Sequence, residues 1–139
     1  MASPVPQAAV IPVRDGRICL VTSRNGARWV FPKGRIEVRQ TAPQAALTEA
    51  WEEAGLRGDL TGEPIGTYRY EKRGRTHHVT VFVMDVVSVT NDYPESGERV
   101  RDWVTPEHAA ELVDEPELKA LVRAAFGIEV PVGSNLRSG

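Results

Sequence analysis

Three glutamates at helical spacing are the residues of this 139-residue chain with the clearest potential for chemistry. Glu49, Glu52 and Glu53 stand at positions i, i+3 and i+4, which on a helix lie about 5–6 Å apart at Cβ. Like charges this close repel each other, so the cluster destabilises a helix that only faces solvent. A divalent cation that prefers oxygen ligands would neutralise it. The spacing therefore predicts a metal-binding face, although glutamate runs also occur on plain surface helices.

The sequence around these glutamates has the period of an amphipathic helix from 42 to 54, and Gly55 stands where helices usually stop. At about 100° per residue, one face of this helix is apolar. That face holds Leu47, Ala50, Trp51 and Ala54. The glutamates gather on the opposite face, so we expect one side to pack and the other to present three carboxylates.

Short motifs on both sides of the helix extend this pattern. Phe31-Pro-Lys-Gly34 precedes the helix, and Glu53-Ala-Gly55-Leu56 closes it. With the glutamates, they resemble the signature of the Nudix hydrolase family. That signature reads Gly, five residues, Glu, seven residues, Arg-Glu, an aliphatic, any residue, Glu-Glu, any residue, Gly and an aliphatic. The matching positions are Gly34, Glu49, Ala50, Glu52, Glu53, Gly55 and Leu56.

Two positions depart from this signature. Gln40 stands at its first Glu and Thr48 at its Arg. The resemblance implies that in the family this Arg forms an ion pair that helps to orient the carboxylates. Removing one partner of such a pair strands a charge, whereas replacing both by neutral hydrogen-bonding groups can be nearly neutral. We interpret Gln40 and Thr48 as a coupled replacement that leaves the metal face intact.

The resemblance also implies an activity, a cofactor and residue roles. It implies a Mg²⁺-dependent pyrophosphohydrolase, with Mn²⁺ able to substitute, in which Glu49 and Glu53 hold the metal and Gly34 belongs to the metal loop. We expect Glu52 to take a proton from the attacking water, although the family varies in which carboxylate is the base. The expected catalytic set is Glu49, Glu52 and Glu53, acting with a cation that neutralises charge on the pyrophosphate.

Basic residues outside the signature indicate a polyanionic substrate. The segment from Arg28 to Gly34 and the later Arg101-Asp-Trp103-Val are similar to the diphosphoinositol polyphosphate and diadenosine polyphosphate hydrolase branch of the family. Arginine and lysine bind phosphate by bidentate and point-charge contacts. The candidates for substrate binding are Arg28, Lys33, Arg35 and Arg101.

Five further side chains have a structural and a functional interpretation. Trp29 and Trp103 either stack on a base or, as aromatic residues beside strands do more often, pack in the core. His77 and His78 must face opposite sides of a predicted strand, where phosphate contact or packing is favoured over metal binding. Cys19 lies in an apolar run and is predicted to be a buried structural thiol.

Two other functions fit the same residues. One is removal of pyrophosphate from RNA 5′ ends, which predicts a basic groove extending beyond the metal site. The other is a Nudix-like regulatory domain that holds a nucleotide without cleaving it. Gln40 and Thr48 favour the regulatory alternative, whereas the complete set of Glu49, Glu52 and Glu53 opposes it.

Turn and cap signals predict the strands and helices around the glutamate helix. Asp15-Gly16 and Arg73-Gly74 mark two β-hairpins, with strands at 8–13, 17–23, 65–72 and 76–89. A short strand at 100–104 precedes a helix start at Thr105-Pro106, and another helix begins within 114–117. Hairpins alternating with amphipathic helices predict an α/β fold, namely an α/β/α sandwich around a mixed sheet.

Composition favours one ordinary domain, and the basic clusters together with the family resemblance imply a small-molecule polyphosphate as its partner. With 41% hydrophobic residues, 26% charged residues and a net charge of −2, no membrane partner is expected, and no nucleic acid beyond RNA 5′ ends. We expect a flexible N-terminus at 1–7, a single Nudix domain at 8–130 and a flexible tail at 131–139. The unpaired cysteine and the lack of a secretory signal favour the cytoplasm, with the chain a monomer or homodimer.

Overall fold

An eight-stranded mixed sheet forms the centre of the computed structural model, which describes residues 3–129. The strands are β1 Val5–Arg14, β2 Arg17–Thr22, β3 Trp29–Val30, β4 Lys33–Arg35, β5 Leu56–Leu60, β6 Gly66–Lys72, β7 Arg75–Val89 and β8 Arg101–Val104. The helices are α1 Ala42–Ala54, α2 Pro106–Leu112 and α3 Pro116–Phe126. The predicted strands, helix starts and both hairpins are present.

The middle of the sheet is a parallel pair, β1 and β7, in register from Val5 opposite His77 to Val13 opposite Asp85. All other pairings are antiparallel: β2 and β4 lie along β1, β5 and β6 lie along β7, and β3 and β8 flank β2. Parallel central strands are buried on both faces, which explains why both carry nearly continuous apolar runs.

Two separate cores lie on the two faces of this sheet. On one face, Ala8, Val10, Val21 and Met84 pack with the alanines of α1. On the other face, residues of the same strands, such as Ile11 and Leu20, pack with α2 and α3. Alternation of side chains along a strand supplies both cores from one sheet. The predicted α/β/α sandwich is thereby confirmed.

The packing face of helix α1 matches the prediction only in part, because Ala50 and Ala54 are buried as predicted whereas Leu47 is not. Ala45, Ala46, Ala50 and Ala54 are fully buried, and Glu53 is buried with them at 6% exposure, whereas Leu47 is 37% exposed. Small alanine side chains let the helix approach the sheet closely, and the bulky residues are left at its flank. At this flank the guanidinium of Arg57 stacks on the Trp51 ring, with Arg57 Cζ 3.9 Å from the ring centre. The expectation that all three glutamates lie opposite the packing face was wrong for Glu53.

The chain ends also differ from expectation. Residues 5–7, expected to be part of a flexible N-terminus, are strand residues of β1, and Val5 is buried. Met1, Ala2 and the predicted tail at 131–139 lie outside the described residues. Strands β3, β4 and β5, which are two to five residues long, were not predicted. Within residues 3–129, no helix has the length and hydropathy needed to span a bilayer.

Candidate active site

The carboxyl end of α1 is tied to the loop that joins β7 to β8. Thr90 N donates to Gly55 O at 2.9 Å, and Glu95 N donates to Glu52 O at 3.0 Å. At the other end of the helix, Thr41 and Gln44 form a reciprocal capping box. Both ends of the helix are therefore fixed, and its glutamate side chains are held over a cleft.

This cleft has a volume of about 540 Å³ and carries both signs of charge. Its acidic lining residues are Glu37, Glu49, Glu52, Glu53 and Glu95, and its basic ones are Arg24, Arg28, Lys33, Arg35, Lys72 and Arg99. The structure therefore brings together all three predicted glutamates and three of the four predicted cations. Such a cleft suits a polyanion bound together with a metal cation.

Gly34 lies directly against the carboxylate of Glu49. A Cβ atom at Gly34 would overlap the carboxyl group of Glu49, so only glycine leaves room for this side chain. The preceding residue, Lys33, donates its backbone N–H to Glu53 Oε1 at 3.2 Å. Strand β4 thus contacts two of the glutamates through its backbone.

The carboxyl groups of Glu49 and Glu53 are close enough for a hydrogen bond when one of them is protonated, so their pKa values are linked. Burial raises the pKa of Glu53 to about 8, the bond to Glu49 acts in the same direction, and the charge of Arg99 opposes both. Burial also raises the pKa of Glu49. Because the two groups are linked, the proton belongs to the pair. A bound divalent cation would take the place of that proton.

Arg99 is a site residue that the sequence did not reveal. Its side chain is only 7% exposed, and its Nη2 lies 3.8 Å from Glu53 Oε2. Its Nε donates to Glu95 Oε1 at 2.7 Å, and its Nη1 donates to Thr22 O at 2.8 Å. The i, i+4 spacing of Glu95 and Arg99 was the available signal, but both residues lie in an irregular loop.

Lys33, Arg28 and Arg35 all line the cleft, as predicted, but in different surroundings. Lys33 Nζ lies 5.1 Å from the centre of the Tyr70 ring. Burial lowers the pKa of Lys33, and Glu53 opposes that shift. Arg28 is exposed and forms an ion pair with Asp114 at 3.3 Å, while Arg35 is exposed. All three cations therefore border the cleft that contains the glutamates.

Arg101, the fourth predicted cation, does not line the cleft. Its Nη1 donates to Ala54 O at 2.6 Å and to Thr90 O at 2.7 Å, and its Nη2 donates to Asn91 Oδ1 at 2.8 Å. The bond to Ala54 O satisfies a carbonyl at the end of α1 that has no partner within the helix, and the other two bonds join Arg101 to the β7–β8 loop. The predicted phosphate-binding role of Arg101 is therefore corrected to a structural one.

The aromatic candidates lie away from the cleft or are already engaged. Trp29 and Trp103 pack against the two cores, as the structural interpretation predicted. Tyr70 does line the cleft, but its ring stacks on His77 at 4.7 Å and its hydroxyl donates to Gln7 Oε1 at 2.7 Å. The buried thiol of Cys19 has a pKa raised to about 12 by burial, which fits its expected structural role.

Comparison with known proteins assigns this chain to a family. The model of the NUDIX domain matches residues 4–125. The chain belongs to the Nudix family. Nudix hydrolase 12, mitochondrial, of Arabidopsis thaliana is 34% identical over 103 residues, covering 68% of this chain and 51% of that protein. Diphosphoinositol polyphosphate phosphohydrolase 3-alpha of Mus musculus is 33% identical over 103 residues, covering 72% of this chain and 62% of that protein.

These relatives confirm the resemblance that the glutamate pattern predicted, including the similarity to the diphosphoinositol branch. This Nudix chain spans about half to three fifths of the length of the two relatives. The fold agrees with solved structures as well. A C. elegans Ap4A hydrolase superposes with a TM-score of 0.71 at 23% identity, covering 89% of this chain and 98% of that one.

The side chains of the Nudix signature residues do not form a closed set of metal ligands. Within residues 3–129, no three His, Cys, Asp or Glu side chains converge into a metal-binding group. Glu49 and Glu53 instead approach each other closely enough to share a proton, beside the backbone of Gly34. Mg²⁺ suits such a partial set, because it keeps several waters and is usually bound by one or two carboxylates plus substrate phosphates. The residues therefore fit an open divalent-metal site.

Proposed function

We propose that this protein is a Mg²⁺-dependent phosphoanhydride hydrolase that acts on a small, densely phosphorylated substrate. The observation that carries the proposal is the placement of Glu49, Glu52 and Glu53 in one cleft with the cations Lys33, Arg28 and Arg35. Carboxylates can hold the metal on one side while cations bind the phosphates on the other. Mn²⁺ is expected to replace Mg²⁺.

Each residue has a proposed role in water attack on phosphorus. Glu49 and Glu53, once ionised, hold the cation beside Gly34, and the cation would neutralise charge that develops on the pyrophosphate oxygens. Glu52 is half-buried at the edge of the cleft and is our candidate for the general base that removes a proton from the attacking water. Lys33 and Arg28 bind and orient the phosphates.

The cleft lining favours inositol pyrophosphates over diadenosine polyphosphates, the two substrate classes that the relatives' names support. A nucleobase is usually bound by stacking on an aromatic ring. Among the cleft residues of the described chain, Phe31 is 3% exposed, and the Tyr70 ring is engaged by His77 and Lys33. A substrate that consists mostly of phosphate needs no such ring.

A substrate screen tests this proposal. Phosphate release would be measured in Mg²⁺ from diphosphoinositol pentakisphosphate, diadenosine polyphosphates, nucleoside triphosphates, ADP-ribose and 5′-triphosphorylated RNA. We expect the highest kcat/KM on the inositol pyrophosphate, followed by the diadenosine compounds. Binding of nucleotides without cleavage of any substrate would contradict the proposal and support the regulatory alternative. Preferred cleavage of RNA would support the second enzymatic alternative.

The cytoplasmic location and the oligomeric state stay predictions from the sequence. Measurement of the molar mass in solution by light scattering separates monomer from homodimer.

A further inference from the structure

Arg99 joins three separate parts of the chain beside the glutamate cluster. It contacts the end of β2 through Thr22 O, the β7–β8 loop through Glu95, and helix α1 through Glu53. A guanidinium presents its donors in a rigid fork. Partners in three directions therefore fix the plane of the Arg99 side chain, which is almost fully buried.

The carboxylate of Glu53 is held at both of its oxygens. Oε1 accepts from the backbone N–H of Lys33 at 3.2 Å, and Oε2 lies 3.8 Å from Arg99 Nη2. A carboxylate held at one oxygen can still rotate about its last torsion, because that torsion is broad. A second contact at the other oxygen restricts this rotation. Arg99 thus limits which way Glu53 presents its oxygens to the cleft.

The loop that carries Arg99 is fixed to the same helix. Glu95 N donates to Glu52 O at 3.0 Å, and Arg99 N donates to Glu95 O at 3.1 Å. The position of the guanidinium therefore depends on backbone bonds to α1 itself. Arg99 and Glu53 are therefore linked both through their side chains and through backbone bonds between the loop and α1.

We propose that Arg99 is a positioning residue for Glu53 and that it thereby sets the affinity of the site for a divalent cation. This inference rests on the proposed function, in which Glu53 holds the metal. The positive charge of Arg99 also repels a metal ion. Removing Arg99 therefore has two opposite effects on metal affinity: loss of repulsion strengthens binding, and loss of Glu53 orientation weakens it. We expect loss of orientation to dominate, because removing an outer partner of a metal ligand usually weakens binding about 10- to 100-fold.

Isothermal titration calorimetry of the full chain with Mn²⁺ measures the metal affinity and tests this proposal without any substrate. Arg99→Met removes the charge and the guanidinium N–H donors but keeps an unbranched side chain. Arg99→Lys keeps the charge but offers a single ammonium group that cannot reach all three partners. Arg101→Met is the matched control, since it removes a neighbouring arginine that bonds carbonyls outside the cleft.

We expect Mn²⁺ to bind at least about tenfold more weakly to Arg99→Met, and more weakly also to Arg99→Lys. Arg101→Met should lower the melting temperature but leave the Mn²⁺ affinity unchanged. Unchanged or tighter binding in Arg99→Met would overturn the proposal, and so would full affinity in Arg99→Lys, because charge without the guanidinium geometry would then suffice. If Arg99→Met does not fold, Arg99→Lys carries the test.

Kinetics provide a second readout and separate this inference from the proposed function. In Arg99→Lys, the Mg²⁺ concentration for half-maximal activity should rise, while the substrate KM at saturating Mg²⁺ stays unchanged. A wild-type protein that binds Mn²⁺ and cleaves substrate, with an Arg99→Lys variant that does both equally well, would overturn only the role of Arg99. A wild-type protein that neither binds Mn²⁺ nor cleaves would overturn the proposed function.

Discussion

Gln40 and Thr48, the two residues that depart from the Nudix signature, are hydrogen-bonded to each other. Gln40 Nε2 donates to Thr48 Oγ1 at 3.4 Å, and Gln40 Oε1 accepts from the backbone N–H of Glu37 at 3.0 Å. Both residues line the cleft. The loop after β4 is therefore linked to α1 by neutral groups, which agrees with the interpretation of a coupled replacement.

A double-mutant cycle on this pair should show strong coupling. Gln40→Glu adds a carboxylate beside the glutamate cluster, and Thr48→Arg adds an unpaired cation, so each single change should lower kcat/KM. Together they can form an ion pair, and we expect a favourable interaction of about 1 kcal/mol, within the range for residues in contact. Additive effects of the two substitutions on kcat/KM would contradict the coupled replacement.

The hairpins and helix ends were predictable because their signals are local. At the first hairpin, Asp15 has φ 52° and Gly16 has φ 75°, the two positive values that the turn needs. Arg73 and Gly74 repeat the pattern at 53° and 74°. Turn residues of this kind act through their own backbone, so the sequence is sufficient to locate them.

The parts of the site that were not predictable depend on tertiary packing. Arg99 and Arg101 lie two residues apart, yet only Arg99 lines the cleft, and only the path of the β7–β8 loop decides this. The charge of Glu53 predicts that this residue lies on the exposed face of α1. Its burial became possible through partners from distant segments, Lys33 and Arg99, that no helical wheel contains.

Gly34→Ala should weaken metal binding by the glutamates of α1. The added methyl group would overlap the carboxyl group of Glu49, so this side chain or β4 must move. We expect weaker Mn²⁺ binding and a large loss of Mg²⁺-dependent activity. Gly97→Ala is the control, because a Cβ atom there meets nothing within 4 Å. Equal activity in the two variants would show that the contact between Gly34 and Glu49 has no functional role.

Glu52→Gln should separate proton transfer from metal binding. If Glu52 is the base, the amide cannot accept the proton from water, and kcat should fall about 10²- to 10⁴-fold, the usual contribution of such a group. Mn²⁺ affinity should stay close to that of the wild type. Glu63→Gln, at an exposed loop residue outside the cleft, should change neither quantity. A Glu52→Gln variant with normal kcat would assign the base to another residue.

The stability of the metal-free protein should fall as the pH rises from about 4.5 to about 8 and should then level off. Burial raises the pKa of Glu53 from its ordinary value of 4.5 to about 8 in the folded state. The folded state therefore binds more protons between these values, and the stability from this group is present at low pH and lost as the pH rises through about 8.

Mg²⁺ should offset this loss, because a metal binds the ionised carboxylates. The rise in melting temperature on adding Mg²⁺ should be larger at a pH above 8 than at a pH near 6. Thermal unfolding across this range, with Mg²⁺ or with a chelator, measures the effect. Glu53→Gln should flatten both pH dependences, because its amide does not ionise. An unchanged slope in that variant would assign the titration to another group.

The role of Glu53 in a metal-dependent reaction is tested by hydrolysis of an inositol pyrophosphate by wild type and Glu53→Gln, in Mg²⁺ and in a chelator. We expect rapid phosphate release only from the wild type in Mg²⁺, with the rate of the folded variant lower by about a hundredfold. Equal rates with and without Mg²⁺, or a Glu53→Gln variant as active as the wild type, would contradict the assignment of this cleft as a metal-dependent hydrolase site.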